Sequence, residues 1–205
     1  MAKIALGAWA WGNDGTFGNN FTENDLRPIF DAGQKAGLNL WDTAFVYGMG
    51  TSEEVLGKFL RSVPRESYLV STKFTPQCAD DKAENAVIEM YKGSVERLGT
   101  DFFDYYWIHN PVGAPEWTRK LIPLAKTGKI GKIAEKHSAA VAQLPVAWAI
   151  AKGAVPILGV TKVKHVEDAV KAANLNLSES EIKELEALAD KANINTVRVW
   201  EKEMK

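Results

Sequence analysis

The chain has one cysteine, Cys78, and three histidines in 205 residues. A single thiol excludes an internal disulfide and suits a reducing compartment. Acidic and basic residues nearly cancel, leaving a formal net charge of −1 and a pI near 6.3. That balance gives no electrostatic reason to expect nucleic acid or an anionic membrane as partner. No apolar run approaches the length of a membrane span, and no basic-then-apolar leader opens the sequence. The expectation is therefore a cytoplasmic protein. Missing as well are a nucleophile elbow and a cluster of metal ligands, which argues against a hydrolase.

What remains is ordinary globular composition, 46% hydrophobic and 25% charged, with an unusual seven tryptophans. Short apolar runs alternate with helical patterns. Ile4 to Trp9 reads as a strand closed by a glycine-rich loop. Thr22 with Asp25 forms a capping box for a helix carrying Leu26, Ile29, Phe30 and Gly33. A strand ends at Asp42, and Thr51 with Glu54 caps a second helix. Tyr68 to Thr72 leads to Lys73; Asp81 with Glu84 starts a third helix; Phe102 to Ile108 delivers His109. A fourth helix is predicted over about 116–126.

After Gly128 the rhythm fails. Lys129 to Lys132 starts like a strand but runs straight into helical composition, and Ser138 opens an alanine-rich helix with a kink expected at Pro145. A fifth strand spans Val155 to Val160, and two closing helices follow, the last with Ser178 and Glu181 as a capping box. Strand–helix alternation with short links predicts parallel βα units. Five strands would fit an open doubly wound sheet, and the chain is short of the roughly 250 residues of an eight-stranded barrel.

The ionisable residues point the other way. Asp42, Tyr47, Lys73 and His109 sit at or just beyond the carboxyl ends of consecutive strands, which face one side in any parallel α/β architecture. An ammonium beside a phenol stabilises phenolate and lowers its pKa, a carboxylate holds the ammonium, and an imidazole orients a carbonyl oxygen. Together they make a general acid.

The motifs Trp41-Asp42-Thr43-Ala44, Tyr47-Gly48, Ser52-Glu53, Ser71-Thr72-Lys73 and Ile108-His109-Asn110-Pro111 resemble, in order and spacing, those of the aldo-keto reductases. Leu6-Gly7 through Trp11-Gly12 resembles that family's first strand and loop, and Arg97-Leu98-Gly99-Thr100-Asp101 its lead into strand four. The resemblance implies a (β/α)8 TIM barrel, about five of whose βα units are visible, and NADPH-dependent reduction of a small-molecule aldehyde or ketone, with NADH the less favoured cofactor. Tyr47 would be the acid, Lys73 and Asp42 its tuning pair, and His109 the carbonyl-orienting group. Trp9, Trp11 and Trp107 would wall the substrate pocket. The loop Gly159 to His165 lies where the family contacts the adenosine 2′-phosphate, which marks Thr161, Lys162, Lys164 and His165. Asp168-Ala169 stands where the family usually has an acid–amide pair against adenine, so the amide contact is lacking.

The similarity covers Ile4 to about Lys132 and Ile133 to about Leu188, two blocks that are not adjacent in the family. The intervening region carries strands six and seven, the carboxamide-binding Ser–Asn pair and Gln, and the aromatic that stacks on nicotinamide. The expectation is one barrel domain over 1–205 with a gap or deletion near 132–133. Either the absent strands belong to the molecule without being written there, or the barrel is open with sheet edges that need a partner. The first is preferred, because an open barrel leaves the nicotinamide site half built. The competing reading of function is a non-catalytic relative, a binding or regulatory subunit that kept the fold. Oligomeric state is not readable from the sequence.

Overall fold

The computed structural model describes residues 3–17, 20–78, 80, 82, 86–100, 102–109, 129–140 and 142–192. The predicted cap at Asp81 and Glu84 and the predicted helix over 116–126 lie outside them. The described residues fall into two compact units, one within Met1–Asn110 and Ile157–Glu167, the other within Pro111–Pro156 and Asp168–Lys205.

The first unit is built on a parallel sheet. Its strands are β1 (Ala5–Gly7), β2 (Leu40–Asp42), β3 (Leu69–Phe74), β4 (Tyr105–Ile108) and β5 (Ile157–Gly159), in the order β4-β3-β2-β1-β5. Each of the first four strands lies beside its predecessor, with no reversal of direction. β5 pairs in parallel with the free side of β1. A doubly wound sheet with its switch point between β1 and β5 would share that order, and it is also the place the last strand takes when a singly wound sheet closes. The sheet fits part of a (β/α)8 barrel, as the sequence implied.

Helix α1 (Glu23–Lys35) follows β1, and its predicted capping box is present, with Thr22 and Asp25 bonding reciprocally. Helix α2 (Thr51–Leu60) follows β2, but Thr51 does not cap it. Its N-cap is Gly50, and the Thr51 hydroxyl donates instead to the carbonyl of Gly48. Helix α3 (Ala86–Leu98) links β3 to β4. Register partners share a face of the pleat, so Gly7, Asp42, Ser71, Tyr105, Lys73 and Trp107 lie on one side. Leu6, Trp41, Val70 and Thr72 lie on the other, where all four are buried. There Trp41 stacks on Phe30 at 5.0 Å and packs against Trp11 at 5.4 Å.

The second unit is helical: α4 (Lys129–Lys136), α5 (Gln143–Ala151), much of α6 (Val163–Asn174) and α7 (Glu179–Ala192). Residues Lys129 to Lys132, which read as a strand start, are the first turn of α4. Ile133 and Ala134 fall on its inner side and join Leu144, Trp148, Leu185 and Leu188 in a local core. The helix containing Pro145 begins at Gln143, not at Ser138. Pro145 therefore sits in the first turn, where its missing N–H breaks no helical bond, and no kink is required. Ser178 and Glu181 form the predicted capping box. Among the described residues, no helix is long and apolar enough to cross a membrane.

Candidate active site

Asp42 and Lys73 sit at the ends of neighbouring strands on the same face. The Lys73 ammonium donates to Asp42 Oδ2 at 2.7 Å and to the carbonyl of Thr43 at 2.6 Å. The other Asp42 oxygen accepts the Ser71 hydroxyl at 2.7 Å, and Trp107 Nε1 donates to Ser71 Oγ at 3.0 Å. Asp42, Ser71 and Lys73 are all buried. Burial pulls the Lys73 pKa down, against the charge and hydrogen bond of Asp42 and the more distant charge of Glu53. Two paired charges at this depth hold each other in place, because removing either strands the other.

Tyr47 comes to this pair on a tightly wound loop. The chain turns through Gly48, Met49 and Gly50, all with positive φ (66°, 50° and 102°). Gly48 abuts the backbone of Gly12, and a Cβ at Gly12 would lie 2.6 Å from the Tyr47 carbonyl carbon. Glycine at both positions lets the two loops touch. Lys73 Nζ then lies 5.0 Å from the Tyr47 ring centroid. The His109 and Tyr47 rings meet edge to face, with centroids 5.5 Å apart and planes at 87°. His109 Nδ1 is 3.2 Å from the Thr75 hydroxyl. The four residues singled out from the sequence are thus in one cluster.

Their titration differs from the expectation in one respect. The sequence reading has Lys73 lowering the Tyr47 pKa. In the structure burial first, and then the negative charge of Asp42, hold the phenol well above its ordinary value. Lys73, bonded to its own carboxylate partner, does not outweigh them in the resting site. Burial, with help from the Lys73 ammonium, pulls His109 down to about 4 against the pull of Asp42. At neutral pH the cluster holds a protonated phenol and a neutral imidazole.

The tryptophans part company. Trp9 is half-buried and stacks on Tyr47 at 5.3 Å and 14°. Trp107 is 53% exposed beside the Asp42–Ser71 pair. Trp11 is 0% exposed, wedged between Trp41 and Phe59, with its indole N–H on the carbonyl of Val160. It is a core residue and walls no pocket.

The predicted phosphate loop follows β5. Thr161 N–H donates to His165 Nδ1 at 3.1 Å, which folds the loop onto the start of α6. Lys162 and Lys164 are exposed there and Thr161 is half-buried. A hydroxyl, two ammonium groups and a helix N-terminus form a donor set that fits a phosphate group. Asp168, on α6, accepts from Gln143 Nε2 at 3.0 Å. Ser71 and Thr75 were missed by sequence reasoning. Ser71 was findable, since it lies two residues before Lys73 and so shares its face.

Comparison with known proteins now bears on this arrangement. The profile of the aldo/keto reductase family matches residues 3–133 and 113–190. The chain belongs to the aldo/keto reductase family. The match comes in two segments that overlap over residues 113–133. A probable voltage-gated potassium channel subunit beta from Oryza sativa subsp. japonica is 32% identical over 117 residues, 54% of this chain and 34% of that protein. Aldo-keto reductase YhdN of Bacillus subtilis is 31% identical over 137 residues, 64% of this chain and 39% of that one. This family member therefore spans little more than a third of the length of each of these two relatives. The crystal structure of a Klebsiella pneumoniae aldo-keto reductase in complex with NADPH aligns with a TM-score of 0.72 at 21% identity, covering 91% of this chain and 90% of that one. This likeness shows the fold.

Proposed function

We propose that the chain acts as an NADPH-dependent reductase of small aldehydes or ketones, with Tyr47 as the proton donor. One observation carries the reading: a buried ammonium shared between Asp42 and the Thr43 carbonyl lies under the ring of a protonated phenol that also meets His109. A nicotinamide, when bound, supplies the hydride that no side chain can. The chain's own residues handle the oxygen. As negative charge grows there, the Tyr47 hydroxyl gives up its proton, and the phenolate left behind is stabilised by Lys73. With the Thr75 hydroxyl as donor to His109 Nδ1, the neutral ring would carry its proton on Nε2, where it can orient the carbonyl oxygen. Trp9, stacked on Tyr47, and Trp107, bonded to Ser71, would flank an apolar substituent. Thr161, Lys162 and Lys164, with His165 bracing the loop, would hold the 2′-phosphate of NADPH, and Asp168 lies one turn beyond on the same helix. The carboxamide contacts have no counterpart in the described residues.

Tyr47→Phe tests the assignment. It should lower carbonyl reduction by about 10²–10⁴-fold while leaving NADPH binding, followed by its fluorescence, within about twofold. Retained turnover would refute Tyr47 as the acid. The similarity to a probable channel beta subunit favours a second reading, a binding or regulatory subunit. That reading predicts NADPH binding without turnover for any carbonyl offered to the parent chain.

A further inference from the structure

Behind the catalytic cluster lies a second buried ion pair that the proposed chemistry does not use. Glu53, on α2, is 0% exposed. One of its oxygens accepts Arg97 Nε at 2.7 Å, and the other accepts the Thr72 hydroxyl at 2.6 Å. Arg97 reaches it because α2 and α3 touch at Gly57, whose missing Cβ makes room for the Arg97 carbonyl. The pair therefore grips both halves of the site from the rear. Thr72 directly precedes Lys73, so Glu53 fixes the β3 backbone where the ammonium departs. The Arg97 guanidinium lies 4.8 Å over the Phe45 ring, and its stem packs at Gly50, so it clamps both ends of the loop that carries Tyr47. That loop is closed on itself by Gly50 N–H to the Phe45 carbonyl and Ser52 N–H to the Tyr47 carbonyl. Sliding Arg97 would move it as one piece.

We propose that Glu53 and Arg97 are positioning residues that set the distance between Tyr47 and Lys73. A carboxylate and guanidinium that served only to weld α2 to α3 would not need to divide their remaining contacts between Thr72 and Phe45. The inference rests on the reductase reading for its kinetic arm, and on Tyr47 alone for its second arm.

The test is the double variant Glu53→Gln with Arg97→Met, which removes both charges and leaves no buried ion unpaired. With the fold intact by circular dichroism, kcat should fall about tenfold to a hundredfold, while the carbonyl KM and NADPH binding stay within about twofold. Independently of turnover, phenolate absorbance is titrated in each protein and in its Tyr47→Phe counterpart. The Tyr47 contribution should be silent up to alkaline unfolding in the parent and emerge at lower pH in the variant. Should the double variant not fold, Arg97→Lys keeps the charge paired while removing the plane over Phe45, and takes the same two readouts. A loss of thermal stability with kcat and the Tyr47 titration unmoved would overturn the proposal. A parent chain without turnover would sink the reductase reading, yet the phenolate titration would still decide the positioning role.

Discussion

The carboxyl ends of β2 and β3 and the carboxyl end of β5 lie on one sheet, but they are built on opposite principles. At the first, Asp42, Ser71, Lys73 and the Thr43 carbonyl are buried and bonded to one another, so each side chain is fixed by the rest. At the second, Lys162 and Lys164 are exposed at the start of α6, and the Thr161 N–H is tied to His165. A buried cluster stakes stability on its own completeness. A solvated loop stakes almost none, and its charges gain their meaning from a ligand. Substitutions at the two ends should therefore differ in what they break.

The largest effect is expected from Lys73→Met. It leaves Asp42 buried with Ser71 as its remaining side-chain partner, and uncompensated buried charge costs about 3–5 kcal/mol. Denaturant unfolding should show a loss of that order, together with loss of carbonyl reduction. Adding Asp42→Asn should return much of the stability and none of the activity. If Lys73→Met alone unfolds no more easily than the parent, the first region is no interdependent cluster and the contrast collapses.

His109 sharpens the same contrast through pH. Its pKa of about 4 in the fold lies below the roughly 6.5 of an unfolded histidine. Below pH 6.5 the unfolded chain takes up a proton that the folded chain refuses, so stability should fall as the pH drops from about 6.5 toward 4. Allowing for its partial exposure, the loss amounts to about 1–2 kcal/mol. Unfolding measured at several pH values should show this slope in the parent and a flatter one in His109→Asn. Equal slopes would mean that His109 is not held neutral by the cluster.

The difference between the regions also explains what could be read from the sequence. Asp42, Lys73 and His109 announce themselves because strands end there and parallel strands end together, and Tyr47 follows on a glycine loop that has to stay close. The helix starts at Thr22 and Ser178 are legible because a capping box is local chemistry four residues long. Trp11 is misread because β1 stops at Gly7. In a strand, residues two apart share a face; in the 3₁₀ turn Trp9–Gly12 the residues that align are three apart, so Trp9 meets Tyr47 while Trp11 enters the core. Lys129 to Lys132 misled for the converse reason: four residues are too few to separate period two from period 3.6, and burial of Ile133 and Ala134 decides for the helix. The Glu53–Arg97 pair joins residues 44 apart, a contact that no local pattern encodes.

The smallest expected effect tests the second region on its own terms. Lys162→Ala removes an exposed ammonium at the start of α6, so the stability of the free chain should stay within about 0.5 kcal/mol. Its consequence should appear with ligand. One surface charge near a helix N-terminus contributes about 0.3–1 kcal/mol to an anion, so NADPH should bind about two- to fivefold more weakly. The loss should shrink as salt is raised, because exposed charges are screened. NADH, which lacks the 2′-phosphate, should bind the parent and the variant alike. Equal weakening of NADH and NADPH would show that Lys162 supports the loop and does not read the phosphate, and the preference between the two cofactors would then have to come from elsewhere in the chain.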